Sequence, residues 1–427
     1  MDGRLKRMGI PVAVVTCWAW CVGCGGGGEA VPEALDAPAD ALKPAAEKTA
    51  VGPSARPQSR EGQAVQPVNA VASGAAASPA QSGEDEPEPG SAEWILREIR
   101  LLRVKPFPDT LTAEQLREAH RERNRKIVQL ATEAIALTHR DKEKENLFTL
   151  AVVDLMEAEF QLAMMGEQAS VDALYDHAQA LYERDPHSKA AAEAAYKVAY
   201  FAFKNAERFG HEEPRWLEEF ARQARLFADN FPEEQKRAAM LLSAAAFTCE
   251  LHRLIEHAIA CYAQLAQQFP DHPAAKGAVA ALRRLQLPGK KLELAGPSLD
   301  GGFLQADQFR GRVLVVVFWA SFARPFQDDL PKLRALQQRF AGQPFSLLGV
   351  NLDDDDVALE QFLRNHRLQW PQIRFPESGQ QGWNNPIAVH YGVRTVPQYW
   401  VIRPDGTVHT TTARADELDA IIARLLN

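Results

Sequence analysis

The sequence is poor in several features that usually announce a function. Of its 427 residues only 5 are cysteine, too few for a disulfide-dense scaffold. Basic residues do not dominate. Lys+Arg number 48 against 56 Asp+Glu, a net charge of −8, so the basic face of a nucleic-acid binder is missing and no nucleic-acid partner is expected. Past the first two dozen residues no apolar run is long enough to cross a bilayer, which excludes a polytopic membrane protein. What is present is ordinary for a globular chain, with 46% hydrophobic and 24% charged residues. The length allows about three segments of domain size.

Residues 1–23 have the layout of a secretory signal peptide: a basic start at Arg4, Lys6 and Arg7, a mostly apolar stretch from Ile10 to Trp20, then the small pair Val22-Gly23. Cys21-Val22-Gly23-Cys24 resembles a bacterial lipobox, with Cys21 where leucine is usual. The resemblance implies an exported envelope protein, anchored to a membrane through a lipidated Cys24. Plain secretion and an uncleaved anchor are the alternatives. Cys21 and Cys24 also form the chain's one C-x-x-C, but no fold surrounds it, so it is not read as a redox pair. From Gly25 to about Gly90 the chain is Gly, Ala, Pro, Ser, Gln and Glu, with few bulky apolar residues. Such a stretch cannot bury enough area to offset its ordering entropy, so residues 24–92 read as a disordered tether. Its root-mean-square reach is on the order of 45 Å.

Residues 93–287 are alanine-rich, with apolar residues three and four apart, as in Ile127, Leu130, Ala134 and Leu137. That spacing predicts helices. The prolines serve as a ruler. Leu174, Ala178 and Leu181 precede Pro186 by 12, 8 and 5 residues; Phe220, Ala224 and Phe227 precede Pro232 by the same offsets; Ala258, Tyr262 and Leu265 precede Pro270 likewise. The offsets place three apolar residues on one helical face, and the proline closes each helix. This resembles the second helix of a tetratricopeptide repeat. The prolines are 46 and 38 residues apart rather than a steady spacing, so the repeat is degenerate and a plain helical bundle stays open. Either arrangement suits holding a protein segment. Cys249 and Cys261 sit among alanines and leucines and read as buried, inert thiols. A turn near His252 would set their helices side by side, which leaves a disulfide between them open. His252 and His257 have no ligand spacing to an acid or thiol and read as surface or rim residues; no metal or other cofactor is expected.

From residue 288 to 427 the periodicity changes. Val313 to Trp319 is a continuous β-branched and aromatic run, which predicts a buried central strand. A helix is expected over Pro325–Phe340, a strand over Phe345–Leu352 and a helix over Asp356–His366. Strands Gln398–Ile402 and Val408–Thr411 flank the turn Arg403-Pro-Asp-Gly406, and a helix from Glu417 to Leu426 closes the chain. The fold class is therefore multidomain, an all-α helical-repeat domain followed by an α/β domain. Asp353 to Asp356 reads as a solvated loop ending in a helix N-cap rather than a calcium loop, because no closing glutamate is spaced for one.

Phe318-Trp-Ala-Ser-Phe-Ala-Arg-Pro-Phe326, followed by Asp329-Leu-Pro331, resembles the active-site segment of TlpA/ResA-type thioredoxins, F-W-A-[ST]-W-C-x-P-C-x-x-[ED]-x-P. Tyr391-Gly-Val-Arg-Thr-Val-Pro397 resembles the same family's cis-proline loop, and Ser298 to Gly302 its entry hairpin. The resemblance implies a thioredoxin-like fold and descent from exported thiol-disulfide oxidoreductases. Where the family carries its two cysteines, this chain has Ala323 and Phe326, and Val317 stands where thioredoxins often keep a buried acid. Disulfide exchange needs a thiolate, which neither a methyl group nor a phenyl ring supplies, so no catalytic residue is expected. The resemblance leaves a peptide-binding edge: Val396 and Pro397, an apolar floor of Phe322, Ala323 and Phe326, and Arg324 either solvated or selecting an acidic partner. The expected function is a non-catalytic protein- or peptide-binding scaffold of the envelope. The alternative is an oxidoreductase that uses Cys249 and Cys261 or a partner's thiols.

Overall fold

The computed structural model describes residues 86–427. The expected signal segment, Cys24 and nearly all of the expected tether lie outside the described residues. No helix among the described residues is long and apolar enough to cross a membrane.

The described chain begins with consecutive α-helices: α1 (Ala92–Val104), α2 (Ala113–Thr138), α3 (Glu145–Met164), α4 (Gln168–Arg184), α5 (Lys189–Phe209), α6 (Arg215–Asn230), α7 (Gln235–Leu251), α8 (Ile255–Gln268) and α9 (Pro273–Leu285). Each packs on its sequence neighbours, a chain of helical hairpins. Helices α4, α6 and α8 each stop two residues short of Pro186, Pro232 and Pro270. The residue before a proline is pushed out of the α region, which ends the helix there. The expected inner faces of α6 and α8 are buried throughout, whereas in α4 only Leu174 is buried and Ala178 and Leu181 are half-buried; Leu174, Phe220 and Ala258, at the same offset from their prolines, are each at most 1% exposed. One expectation shifts. In α2 the buried stripe is Ile127, Ala131, Ala134 and Thr138, so Leu137 stays in solvent.

The second region opens with a hairpin of β1 (Ala295–Pro297) and β2 (Phe303–Gln305), paired antiparallel. A five-stranded sheet follows: β3 (Val313–Trp319), β4 (Phe345–Asn351), β5 (Gln372–Ile373), β6 (Gln398–Ile402) and β7 (Val408–Ala413), in the order β5-β4-β3-β6-β7. Strands β4 and β5 run parallel to β3; β6 pairs antiparallel with β3, and β7 with β6. The helices are α10 (Arg324–Arg339), α11 (Asp356–His366), α12 (Pro386–Tyr391) and α13 (Leu418–Leu426). Every residue of β3 is buried. Its side chains alternate between two cores, as the two-residue strand period demands. Val313, Val315, Val317 and Trp319 face α10, α11 and α13, whereas Leu314, Val316 and Phe318 face α12. The expected strands and helices fall within a residue or two of these bounds. Strand β5 and helix α12 were not expected; at two and six residues they are too short to show a period.

Candidate functional site

Strand β3 ends in the segment 320–323, which turns into α10 with Ala323 as the N-cap. Ala323 offers no side-chain acceptor to the first turn. It is 7% exposed and belongs to the apolar cluster under α10. Phe326 corrects the expected floor. It is 0% exposed, with its ring stacked on Trp319 at 4.7 Å between centroids and 6.1 Å from Phe362. A ring that large finds its area inside the core, so only Phe322, 60% exposed, and the edge of Ala323 face outward. Arg324 is exposed.

The second expected element is the cis-proline loop. The Val396–Pro397 peptide bond is cis, and both residues are half-buried. Val396 packs against the cluster that contains Ala323 and Phe326. Among the described residues no group hydrogen-bonds the Val396 amide or carbonyl. Val317 lies in the sheet directly opposite Tyr399. The Tyr399 hydroxyl donates to Asp329 Oδ2 at 2.9 Å, and burial together with that carboxylate raises the tyrosine's pKa. Asp329 also pairs with Lys332 at 2.7 Å.

The acidic run after β4 corrects the expected solvated loop at Asp353 and keeps its helix N-cap. Asp355 does cap α11, accepting from the Val357 and Ala358 amides at 2.9 and 3.1 Å. Asp353 is 2% exposed and faces inward. Its carboxylate accepts the Ser321 amide at 2.9 and 3.0 Å and the Ser321 hydroxyl at 2.6 Å. Arg374 donates to Asn351 Oδ1 at 2.9 Å, to the Asp353 carbonyl and to Asp356. Asn385 donates to the Asn351 carbonyl at 3.3 Å, while its own Oδ1 caps α12 by accepting from Ile387 at 2.9 Å. A buried polar network thus holds the segment before Ala323. The alternation of Asn351 and Asp353 around buried Leu352 was the available signal. A strand-end aspartate with its side chain on the inward face is more often a partner than a solvated charge.

The two cysteines among the described residues lie elsewhere. Cys249 in α7 and Cys261 in α8 are free thiols, 0% exposed, so the disulfide left open from sequence does not form. The Cys249 Sγ donates to the Leu217 carbonyl at 3.7 Å and the Cys261 Sγ to the Ala221 carbonyl at 3.9 Å. Burial pushes both thiols up to about 12. No group of three or more His, Cys, Asp or Glu among the described residues is arranged to hold a metal ion.

The thioredoxin-like family model matches residues 311–408, which contain β3, α10 and the cis-proline. Thiol-disulfide oxidoreductase ResA of Bacillus thuringiensis subsp. konkukian is 23% identical over 110 residues, 26% of this chain and 60% of that protein. Thiol:disulfide interchange protein HelX of Rhodobacter capsulatus is 26% identical over 145 residues, 34% of this chain and 76% of that protein. A solved thiol-disulfide oxidoreductase from Bacteroides fragilis is 26% identical and covers 32% of this chain and 98% of its own, with a TM-score of 0.29. The two curated similarities cover 26% and 34% of this chain, and the match to ResA spans 60% of that relative's length. The C-terminal region is a thioredoxin-like domain, and a domain of helical hairpins precedes it.

Proposed function

We propose that this protein is a non-catalytic member of the thiol-disulfide oxidoreductase lineage that binds an extended protein segment along its cis-proline edge. The observation that carries the reading is the pairing of an open backbone with a thiol-free floor. Val396 presents an unengaged amide and carbonyl beside the cis peptide bond and packs against the apolar cluster that includes Ala323, the α10 N-cap. An extended peptide adds to such an edge as a strand, through main-chain hydrogen bonds that need no thiol. Exposed Phe322 supplies apolar area at the rim, and Arg324 adds a cation beside it.

An oxidoreductase built on Cys249 and Cys261 has little support. A thiol pushed up to about 12 carries almost no thiolate at neutral pH, and neither sulfur reaches solvent. The basic and apolar start of the sequence, with Cys24 after it, supports export and a lipid anchor, and therefore a partner in the cell envelope.

The test installs a reporter thiol at the edge. Ala323→Cys is challenged with an extended peptide whose single cysteine is activated as a mixed disulfide with thionitrobenzoate. The variant's thiol loses its proton to solvent, the thiolate attacks the peptide sulfur, and thionitrobenzoate leaves with the electron pair of the broken S–S bond and is counted by absorbance. Binding at the edge predicts that the rate saturates with peptide concentration and that Val396→Pro, which removes the amide donor, weakens or abolishes the saturation. A rate that stays linear in peptide, as with a free thiol in solution, sinks the reading.

A further inference from the structure

The helical domain packs against the thioredoxin-like domain where α9 meets α12 and the loop that leads to the cis-proline, and an exposed ion pair between Arg253 and Glu417 joins the two domains elsewhere. Arg284 of α9 is 2% exposed. Its Nε donates to the Tyr391 carbonyl at 3.1 Å, and its guanidinium pairs with Glu250 of α7 at 2.8 Å. Glu250 is steadied in turn by the Tyr262 hydroxyl, which donates to it at 3.3 Å. The neighbouring Arg283, exposed, donates to the His390 carbonyl. These two carbonyls are at the C-terminal end of α12, where a helix leaves acceptors without partners, and two cations from another domain complete them. Gly392 follows in the left-handed region at φ 61°, and a Cβ there would stand 2.7 Å from the Ala281 amide nitrogen. The backbone of α9 therefore touches the loop with no side chain between. Arg394, two residues before Val396, lies over the Phe247 ring of α7 at 5.6 Å.

The other end of α12 is tied to the degenerate site. Asn385 caps α12 and bonds Asn351, whose side chain lies in the network that fixes Ser321 through Asp353. Helix α12 is thus gripped at its start by the segment before Ala323 and at its end by the helical domain.

We infer that the helical domain acts as the outer mount of the peptide edge, with Arg284 as the positioning residue that sets the loop from Tyr391 to Val396. This rests on the reading that the edge receives a peptide. Its consequence is that the edge and the helical array work as one unit, and a change in how α9 sits is felt at Val396.

Hydrogen exchange on the full chain tests the mount without any peptide. Arg284→Met keeps the apolar stem and removes the guanidinium. The hydrogen-bonded amides of Gly392 and Val393 are expected to exchange about tenfold faster or more, while those of β3 and β4 hold their rates. Arg283→Gln, an exposed change that removes only the His390 contact, is expected to give a smaller rise in the same segment. Should Arg284→Met fail to fold, Arg283→Gln is judged by the same criterion. Unchanged exchange at Gly392 and Val393, or a rise no larger than in β3 and β4, overturns the inference. The second readout is the peptide reaction. Arg284→Met in the Ala323→Cys background should weaken saturation by about tenfold while the pH profile of the thiol stays fixed. If Ala323→Cys alone never saturates, the peptide reading has failed and the exchange result still decides the mount. If it saturates equally well with Arg284→Met, the positioning role is overturned.

Discussion

Asp353 and Ser321 are joined by three hydrogen bonds: both carboxylate oxygens take the serine amide, at 2.9 and 3.0 Å, and one also takes its hydroxyl, at 2.6 Å. They lie 32 residues apart in sequence and both are buried. The contact fixes the direction in which the chain leaves β3 and so where Ala323 stands at the head of α10. The domain keeps a carefully held site segment although no thiol occupies it.

Replacing Asp353 by Asn tests that contact. The amide keeps one acceptor and turns a donor toward the Ser321 N–H. Loss of charge-assisted bonds inside the fold predicts a cost of about 2–3 kcal/mol. Urea unfolding should show it as a lower midpoint at constant slope, and hydrogen exchange should quicken in residues 320–324. A change below about 0.5 kcal/mol would show that the contact holds nothing in place.

Phe326 is expected to be a core residue in energetic terms. Its ring fills the space between Trp319 and Phe362, so Phe326→Ala should cost about 3–5 kcal/mol. The same reasoning predicts that Ala323→Cys/Phe326→Cys, which writes the family's cysteine pair into this chain, is markedly less stable than Ala323→Cys alone. Thermal unfolding of the three variants checks the order.

The thiol placed by Ala323→Cys stands at the N-cap of a 16-residue helix. The N–H groups and dipole at that end favour the thiolate, so its pKa should fall below the ordinary value near 8.5. The pH dependence of its alkylation reads this directly. A midpoint at or above about 8.5 would mean that burial outweighs the helix end.

Cys249 and Cys261 give a pH signature of the opposite kind. Their thiols are raised to about 12 in the native protein, whereas in the unfolded chain they titrate near 8.5. Between those values the unfolded state has released protons that the native state still holds. Stability is therefore full below about pH 8.5 and falls as pH rises toward 12, by up to about 1.4 kcal/mol per pH unit for each thiol. Urea midpoints from pH 8 to 10 should decline, and Cys249→Ala/Cys261→Ala should decline less. Native alkylation at pH 8 should label neither residue.

Much of this was written locally. The run Val313 to Trp319 could only be a buried strand, because seven consecutive apolar residues have no face to give to water. The three prolines ended three helices because a proline acts on the residue before it. Ala323, Phe326 and Pro397 were recognisable by their places in a motif, and the cis bond at Pro397 followed it. The sequence by itself determined the elements long enough to show a period, their order and the absence of cysteine from the site segment, but not the short β5 and α12. Only the tertiary structure decided which polar groups meet. Asp353 reads as one of four acidic residues until the strand end turns it toward Ser321. Phe326 reads as part of a surface floor until the ring finds Trp319. Arg284 is one more helix-end cation until α9 lays it on the Tyr391 carbonyl, 107 residues away. The physical reason is the same for each. Helix and strand are set by neighbours along the chain, whereas a buried charge is placed by partners that only folding brings within hydrogen-bond reach.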